Sequence, residues 1–150
     1  MLSEGGLHWA SVIHISKSVA QTESLATELA GHLRGGEVIA LSGEMGAGKT
    51  QFVRGLVRGL GGNVRAVSSP TFVLLNIYET PKLKLYHLDA YRVAGEEDFE
   101  AIGFSELLEE GGIVVVEWPE RVEKILPPKR IEVKIESTGV RSRRISIEET

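Results

Sequence analysis

The chain has 150 residues, of which 42% are hydrophobic and 25% charged, the proportions and length of one soluble globular domain. It contains no cysteine, which excludes disulfide frameworks and thiolate metal sites. Its formal net charge of −4 argues against a stand-alone nucleic-acid binder, which would be basic with its cations on one face.

The first residues, MLSEGGLHWAS, lack the basic start and apolar run of a signal peptide. No apolar stretch is long enough to cross a bilayer. One cytoplasmic domain over residues 1–150 is the expectation. Trp9–Ile15 has the β-branched content of a first strand, and Ser18 to Gln21 matches a capping box. Val19, Thr22, Ala26, Leu29, Ala30 and Leu33 follow at helical spacing, up to Gly35-Gly36. Glu37–Ser42 is a short apolar run that reads as a buried parallel strand. Phe52, Val53, Leu56, Val57 and Leu60 then mark one face of a helix stopped by Gly61-Gly62.

Between that strand and that helix lies Gly43–Thr50, GEMGAGKT, the pattern G-x-x-x-x-G-K-[ST] of a P-loop. Its glycines let successive backbone N–H groups converge on one phosphate, and the helix turns its positive end to the same anion. Glu44, Met45, Gly46, Ala47, Gly48, Lys49, Thr50 and Gln51 are therefore the candidate nucleotide-binding residues, for ATP with Mg²⁺. Lys49 would bridge the β- and γ-phosphates and the Thr50 hydroxyl would ligate the metal. Without nucleotide, Lys49 is expected to face solvent.

Further along, TFVLLNIYE and KLKLYHLDAYR flank a turn at Thr80-Pro81, a hairpin signal that makes this part of the sheet antiparallel. Glu96–Glu110 has helical spacing with a break near Gly103, Ile113–Trp118 is another buried strand, and Pro119–Leu126 opens on proline as a short helix. Ile131, Val133 and Ile135, then Ile145 and Ile147, alternate with polar residues around Ser137-Thr138-Gly139, a second hairpin. The fold expected is α/β, a P-loop NTPase three-layer arrangement with a mixed parallel and antiparallel central sheet.

Mg²⁺ asks for one or two carboxylates, and Asp89 and Glu117 both end strand-like runs. They are the candidate metal-associated and catalytic acids, together with Lys49. A surface carboxylate paired with Arg92 or Arg121 is the alternative for each. Ser68-Ser69-Pro70-Thr71 is either a loop whose hydroxyl senses a γ-phosphate or an ordinary turn before a strand. Trp118 suits a core position better than a functional one. His87 could bond a phosphate or Asp89, although a histidine in a strand is more often a satisfied structural residue.

GEMGAGKT, SSPTF, LYHLDAYR and VVVEWPER, in that order and at these intervals, resemble the bacterial TsaE family (formerly YjeE) over nearly the whole chain. The resemblance implies an ATPase in the synthesis of threonylcarbamoyladenosine beside the tRNA anticodon. In that pathway a TsaB–TsaD complex transfers a carbamoyl-threonine group to tRNA, and the TsaE-like ATPase binds the complex and resets it. The protein would thus meet tRNA only indirectly, and no membrane. The family's P-loop residues fall on Gly46, Gly48, Lys49 and Thr50. Its Mg²⁺-associated acid falls on Asp89, its acid–tryptophan pair on Glu117 and Trp118, and its switch threonine on Thr71. No arginine is obviously placed as a finger, so hydrolysis is expected to be slow until a partner completes the site.

Three rivals stand against this. A P-loop small-molecule kinase would carry an arginine-bearing lid, whereas Arg141–Arg144 lies in a late hairpin. A GTPase would carry the N-K-x-D string, which is absent. A non-catalytic switch would bind ATP without turning it over.

Overall fold

The computed structural model describes residues 11–150. Trp9 and Ala10, where the sequence places the start of the first strand, lie outside them. The elements run β1 (Val12–Ser16), α1 (Val19–Ala30), β2 (Val38–Ser42), α2 (Lys49–Gly59), β3 (Leu75–Tyr78), β4 (Leu85–Asp89), α3 (Glu96–Ala101), α4 (Phe104–Leu108), β5 (Ile113–Glu117), β6 (Ile131–Ser137) and β7 (Arg143–Glu149). The strands form one sheet in the order β1-β7-β6-β2-β5-β4-β3. Its centre, β6-β2-β5-β4, is parallel, and antiparallel pairs close both flanks. The expected mixed α/β fold is present.

Strand side chains alternate between faces, and two cores result. Ile39, Leu41, Ile113 and Val115 face α1 and α2. Val38, Ala40, Val114 and Val116 face α3, α4 and the segment after β5. β2 and β5 are buried on both faces, which is why they read as continuous apolar runs.

Ser18 caps α1, accepting a bond from Gln21 N at 3.1 Å, as the capping-box spacing requires. Helix α2 buries Phe52, Val53, Leu56 and Val57, each worth about 1.5–3 kcal/mol. It lies tight on α1. A Cβ on Gly55 would fall 2.3 Å from Glu23 O, and one on Gly59 2.6 Å from Ala30 Cβ. Thr27 Oγ1 donates to Gly55 O at 2.9 Å. This docking fixes the direction of α2 and hence of the loop that enters it.

Two local expectations need correction. The helix expected to run to Leu33 ends at Ala30. The run TFVLLNIYE is a strand only from Leu75; Leu74 N bonds Pro70 O at 2.6 Å and Leu74 has φ 73°, so a turn precedes the strand. The short helix expected over Pro119–Leu126 is present as a 3-10 helix over Pro119–Ile125, with Val122 out of helical geometry. The break at Gly103 is present, with φ 85° between α3 and α4. Among the described residues no helix is long and apolar enough to cross a membrane.

Candidate functional site

The sheet and α2 bring the sequence-derived residues to one place. β2 ends in the P-loop, and its neighbour β5 ends in Glu117, with Leu41 opposite Glu117 in the register. β4 lies beside β5 with Asp89 opposite Glu117. His87, Asp89 and Glu117 share the parity of Leu85, Ile113 and Val115, so all three point to the α2 side. A cleft of about 310 Å³ at these strand ends is lined by Met45, Gly46, Gly48, Lys49, Thr50, Gln51, Ser69, Thr71, Asp89, Glu117 and Trp118. This is where open α/β sheets place their ligands.

The loop is shaped for close backbone approach. Gly43 has φ 156°, and a Cβ there would meet Ile135 O at 2.7 Å; Gly48 has φ 114°. Gly48 caps α2 with no side-chain bond to its N–H groups, so those donors are open to an anion.

Lys49 corrects the expectation of a solvent-facing side chain. It is only 7% exposed. Its ammonium donates to Gly43 O and sits 4.1 Å from the centre of the Trp118 ring. Burial pushes its pKa below the ordinary lysine range, against the pull of Glu117, Asp89 and Glu120. The cation is thus held ready beside the cleft by a carbonyl and an aromatic face, with its hydration already removed.

Asp89 is buried at 2% exposure. Its Oδ2 accepts from Thr71 Oγ1 at 2.7 Å and its Oδ1 from Tyr91 N at 2.8 Å. Thr71 Oγ1 is also 2.7 Å from Ser69 Oγ. The Ser68–Thr71 loop therefore reaches the acid directly, and the alternative pairing of Asp89 with Arg92 is not made: Arg92 lies over Phe72. Glu117 is 3% exposed and bonds His87 Nε2 through Oε2 at 2.5 Å, not Arg121, which stacks over Tyr91. His87 is wholly buried and partners Glu117 instead of Asp89.

Among the described residues no three His, Cys, Asp or Glu side chains gather to hold a metal alone. Two buried carboxylates beside a threonine hydroxyl are instead an oxygen set short of its full count. That suits Mg²⁺, which keeps waters and takes its remaining ligands from phosphates.

Trp118 is half-buried. It has φ 56°, a left-handed conformation that a bulky residue adopts at a cost of about 1–3 kcal/mol. That turn throws the indole over Lys49 and against Tyr91, 5.0 Å between ring centres. In a Trp9→Phe background, Trp118 fluorescence is expected to change on addition of Mg²⁺·ATP, because moving the Lys49 ammonium alters the field at the indole. A titration to saturation checks this; a flat signal contradicts it.

Glu44 and Ala47 line a different cavity of about 720 Å³ on the outer side of the P-loop. Its walls carry Glu44, Glu120, Glu123, Glu132 and Glu136 against one lysine, Lys134. That acidic lining disfavours a polyphosphate, so the smaller cleft beside Lys49 is the better candidate for an anion despite the larger volume here.

Arg143 was legible only as part of a basic hairpin. It sits at the start of β7, where Nε donates to Ala47 O at 2.7 Å and Nη2 to Gly46 O at 3.4 Å. These bonds hold the Gly46 and Ala47 carbonyls to the β7 side of the loop. Arg143→Ala is expected to lower stability by about 1–3 kcal/mol, the worth of hydrogen bonds to a charged group, and to weaken nucleotide binding. Denaturant melts with parallel ATP titrations check both.

Comparisons with known proteins place the chain in a family. The family model described as threonylcarbamoyl adenosine biosynthesis protein TsaE matches residues 16–145. The chain belongs to the TsaE family. It is 36% identical over 135 residues to the tRNA threonylcarbamoyladenosine biosynthesis protein TsaE of Rickettsia prowazekii (strain Madrid E), covering 90% of this chain and 93% of that one. The protein of the same description from Aquifex aeolicus (strain VF5) is 51% identical over 108 residues, 71% of this chain and 76% of that one. Among solved structures, Bacillus subtilis YdiB superimposes with a TM-score of 0.75 at 28% identity, covering 91% of this chain and 84% of that one. The fold and family expected from the four motifs therefore hold for this TsaE-family chain.

Proposed function

We propose that this protein, acting as a single cytoplasmic ATPase domain, binds Mg²⁺·ATP and hydrolyses it to reset or regulate the TsaB–TsaD complex in tRNA threonylcarbamoyladenosine synthesis. The observation that carries the reading is the convergence of Lys49, Thr50, Thr71, Asp89 and Glu117 on one cleft at the P-loop. The P-loop N–H groups and Lys49 bind the phosphates. Thr50, Asp89 and Glu117 would hold Mg²⁺, which when bound would supply charge neutralisation for the phosphates. A hollow of about 340 Å³ lined by Ser18, Thr22, Gly46, Gln51 and Arg143 adjoins the loop and gives room for the nucleoside. The acidic balance of the chain keeps tRNA contact indirect, through the complex.

Thr71 supports a role in signalling to a partner. Its hydroxyl ties an exposed loop to Asp89, so a change at the metal-side acid reaches the surface. The mechanism is linkage: if TsaB–TsaD prefers the ATP-bound surface, ATP raises partner affinity and the partner raises ATP affinity by the same factor. A pull-down with TsaB–TsaD in ATP, in ADP and without nucleotide tests this. Partner capture is expected to be strongest in ATP, and Thr71→Ala to flatten the difference with less effect on ATP affinity alone. Equal capture in all three states, with a phosphorylated metabolite formed instead, would favour the small-molecule kinase reading.

A further inference from the structure

We propose that His87 is a positioning residue for Glu117, itself oriented by Tyr78, so that the root of the Ser68–Thr71 loop is tied to the carboxylate through two buried rings; this rests on the reading of Glu117 as a hydrolytic residue.

His87 has no exposed surface, and its two ring nitrogens face two different partners. Nε2 lies 2.5 Å from Glu117 Oε2, and Nδ1 lies 3.4 Å from the Tyr78 hydroxyl. The rings of Tyr78 and His87 are 6.0 Å apart. The short bond is made in the tautomer that carries its proton on Nε2, with Glu117 Oε2 accepting; in that tautomer Nδ1 faces the phenol as an acceptor. A buried carboxyl turns broadly about its last torsion. A fixed donor on one oxygen stops that rotation and aims the other oxygen, as donors behind ligating side chains do elsewhere.

Tyr78 connects this pair to the loop. Its hydroxyl accepts from Ser68 N at 3.1 Å and donates to Ser68 O at 3.0 Å. Asn76 Nδ2 braces the same spot, at 3.1 Å from Ser68 O and 3.3 Å from the hydroxyl. A phenol has one proton, and here two acceptors compete for it, Ser68 O and His87 Nδ1. Where Ser68 holds it, His87 is braced weakly. Where Ser68 withdraws, the proton turns to Nδ1 and fixes the ring as an Nε2 donor to Glu117. Register makes the chain of contacts possible: Asn76 pairs with His87 and Asp89 with Glu117 across three adjacent strands.

The test is a double-mutant cycle on single-turnover ATP hydrolysis, with Mg²⁺·ATP affinity measured by calorimetry and folding followed by thermal melts. His87→Leu is expected to slow hydrolysis by about 10–100-fold, the usual cost of losing such a partner, while affinity changes by less than about threefold. His87→Gln, which keeps a donor near the Nε2 position, is expected to recover most of the rate. Tyr78→Phe, which keeps the buried ring and removes only the hydroxyl, is expected to cost about three- to tenfold. In a Glu117→Gln background, His87→Leu is expected to cost nothing further, because it acts through Glu117. An equal loss in both backgrounds, or no recovery with glutamine in a folded protein, would reduce His87 to a structural residue. An unchanged rate in Tyr78→Phe would cut the link to the loop. A normal rate in Glu117→Gln alone would instead sink the underlying reading of Glu117, and this inference with it. Should His87→Leu fail to fold, the glutamine and phenylalanine variants decide the matter.

Discussion

Lys49→Ala is expected to abolish useful ATP binding, lowering affinity by about a hundredfold, because a hydrogen-bonded charge on the phosphates is worth about 1.5–3 kcal/mol. Its burial makes this a sharper experiment than a solvent-facing lysine would allow. The side chain is 7% exposed and its pKa is pushed down by desolvation. The folded state thus disfavours the charge, and between the lowered pKa and the ordinary lysine value the unfolded chain binds more protons. Stability contributed at this position therefore rises with pH across that window. Removing the ammonium deletes that cost while losing contact with the Trp118 ring, so the variant is expected to melt within a few degrees of the wild type at neutral pH. Calorimetric titration of the folded variant is the check; unchanged ATP affinity would remove Lys49 from the phosphate site.

Glu117→Gln is expected to lower the hydrolysis rate by about 10²–10³-fold, in the range reported for a positioned acid–base group, with a much smaller change in ATP affinity. Charge beside the metal acts most as the transition state forms. The amide oxygen can still accept from His87, but without the carboxylate's charge the bond is weaker. Asp89→Asn is expected to act in the same direction, with an added loss of the Thr71 contact. Phosphate release in the presence of TsaB–TsaD, against ATP affinity measured in parallel, separates rate from binding. Normal rates in both amides would remove the two acids from the chemistry.

The parts of this site that were legible in the sequence are those that local chemistry dictates. GEMGAGKT lies between an apolar run and a helical stripe, and both flanks form as the spacing requires. Asp89 and Glu117 were legible because each ends a strand, and their meeting needed only that β4 and β5 be parallel neighbours. What escaped depends on register or on distance along the chain. Whether His87 meets Asp89 or Glu117 is decided by the pairing of β4 with β5 and by side-chain reach, which period-two patterning does not encode. Arg143 reaches Ala47 across 96 residues, and nothing local marks it apart from Arg141 or Arg144. Trp118 resembles core by composition, and only its left-handed backbone carries the ring over Lys49. Phe72 and Val73 look like strand, yet they are 83% and 64% exposed, because Pro70 and the turn at Leu74 lift them off the sheet.

The most direct test of the account is tRNA threonylcarbamoylation by purified TsaB–TsaD supplied with threonylcarbamoyl-AMP, followed over many turnovers with and without this protein and ATP. The account predicts one round of modification without it, and sustained turnover with stoichiometric phosphate release when the wild-type chain and hydrolysable ATP are both present. Lys49→Ala and Glu117→Gln should fail to sustain it. Full multi-turnover modification without this protein, or sustained turnover supported equally by Glu117→Gln, would contradict the account.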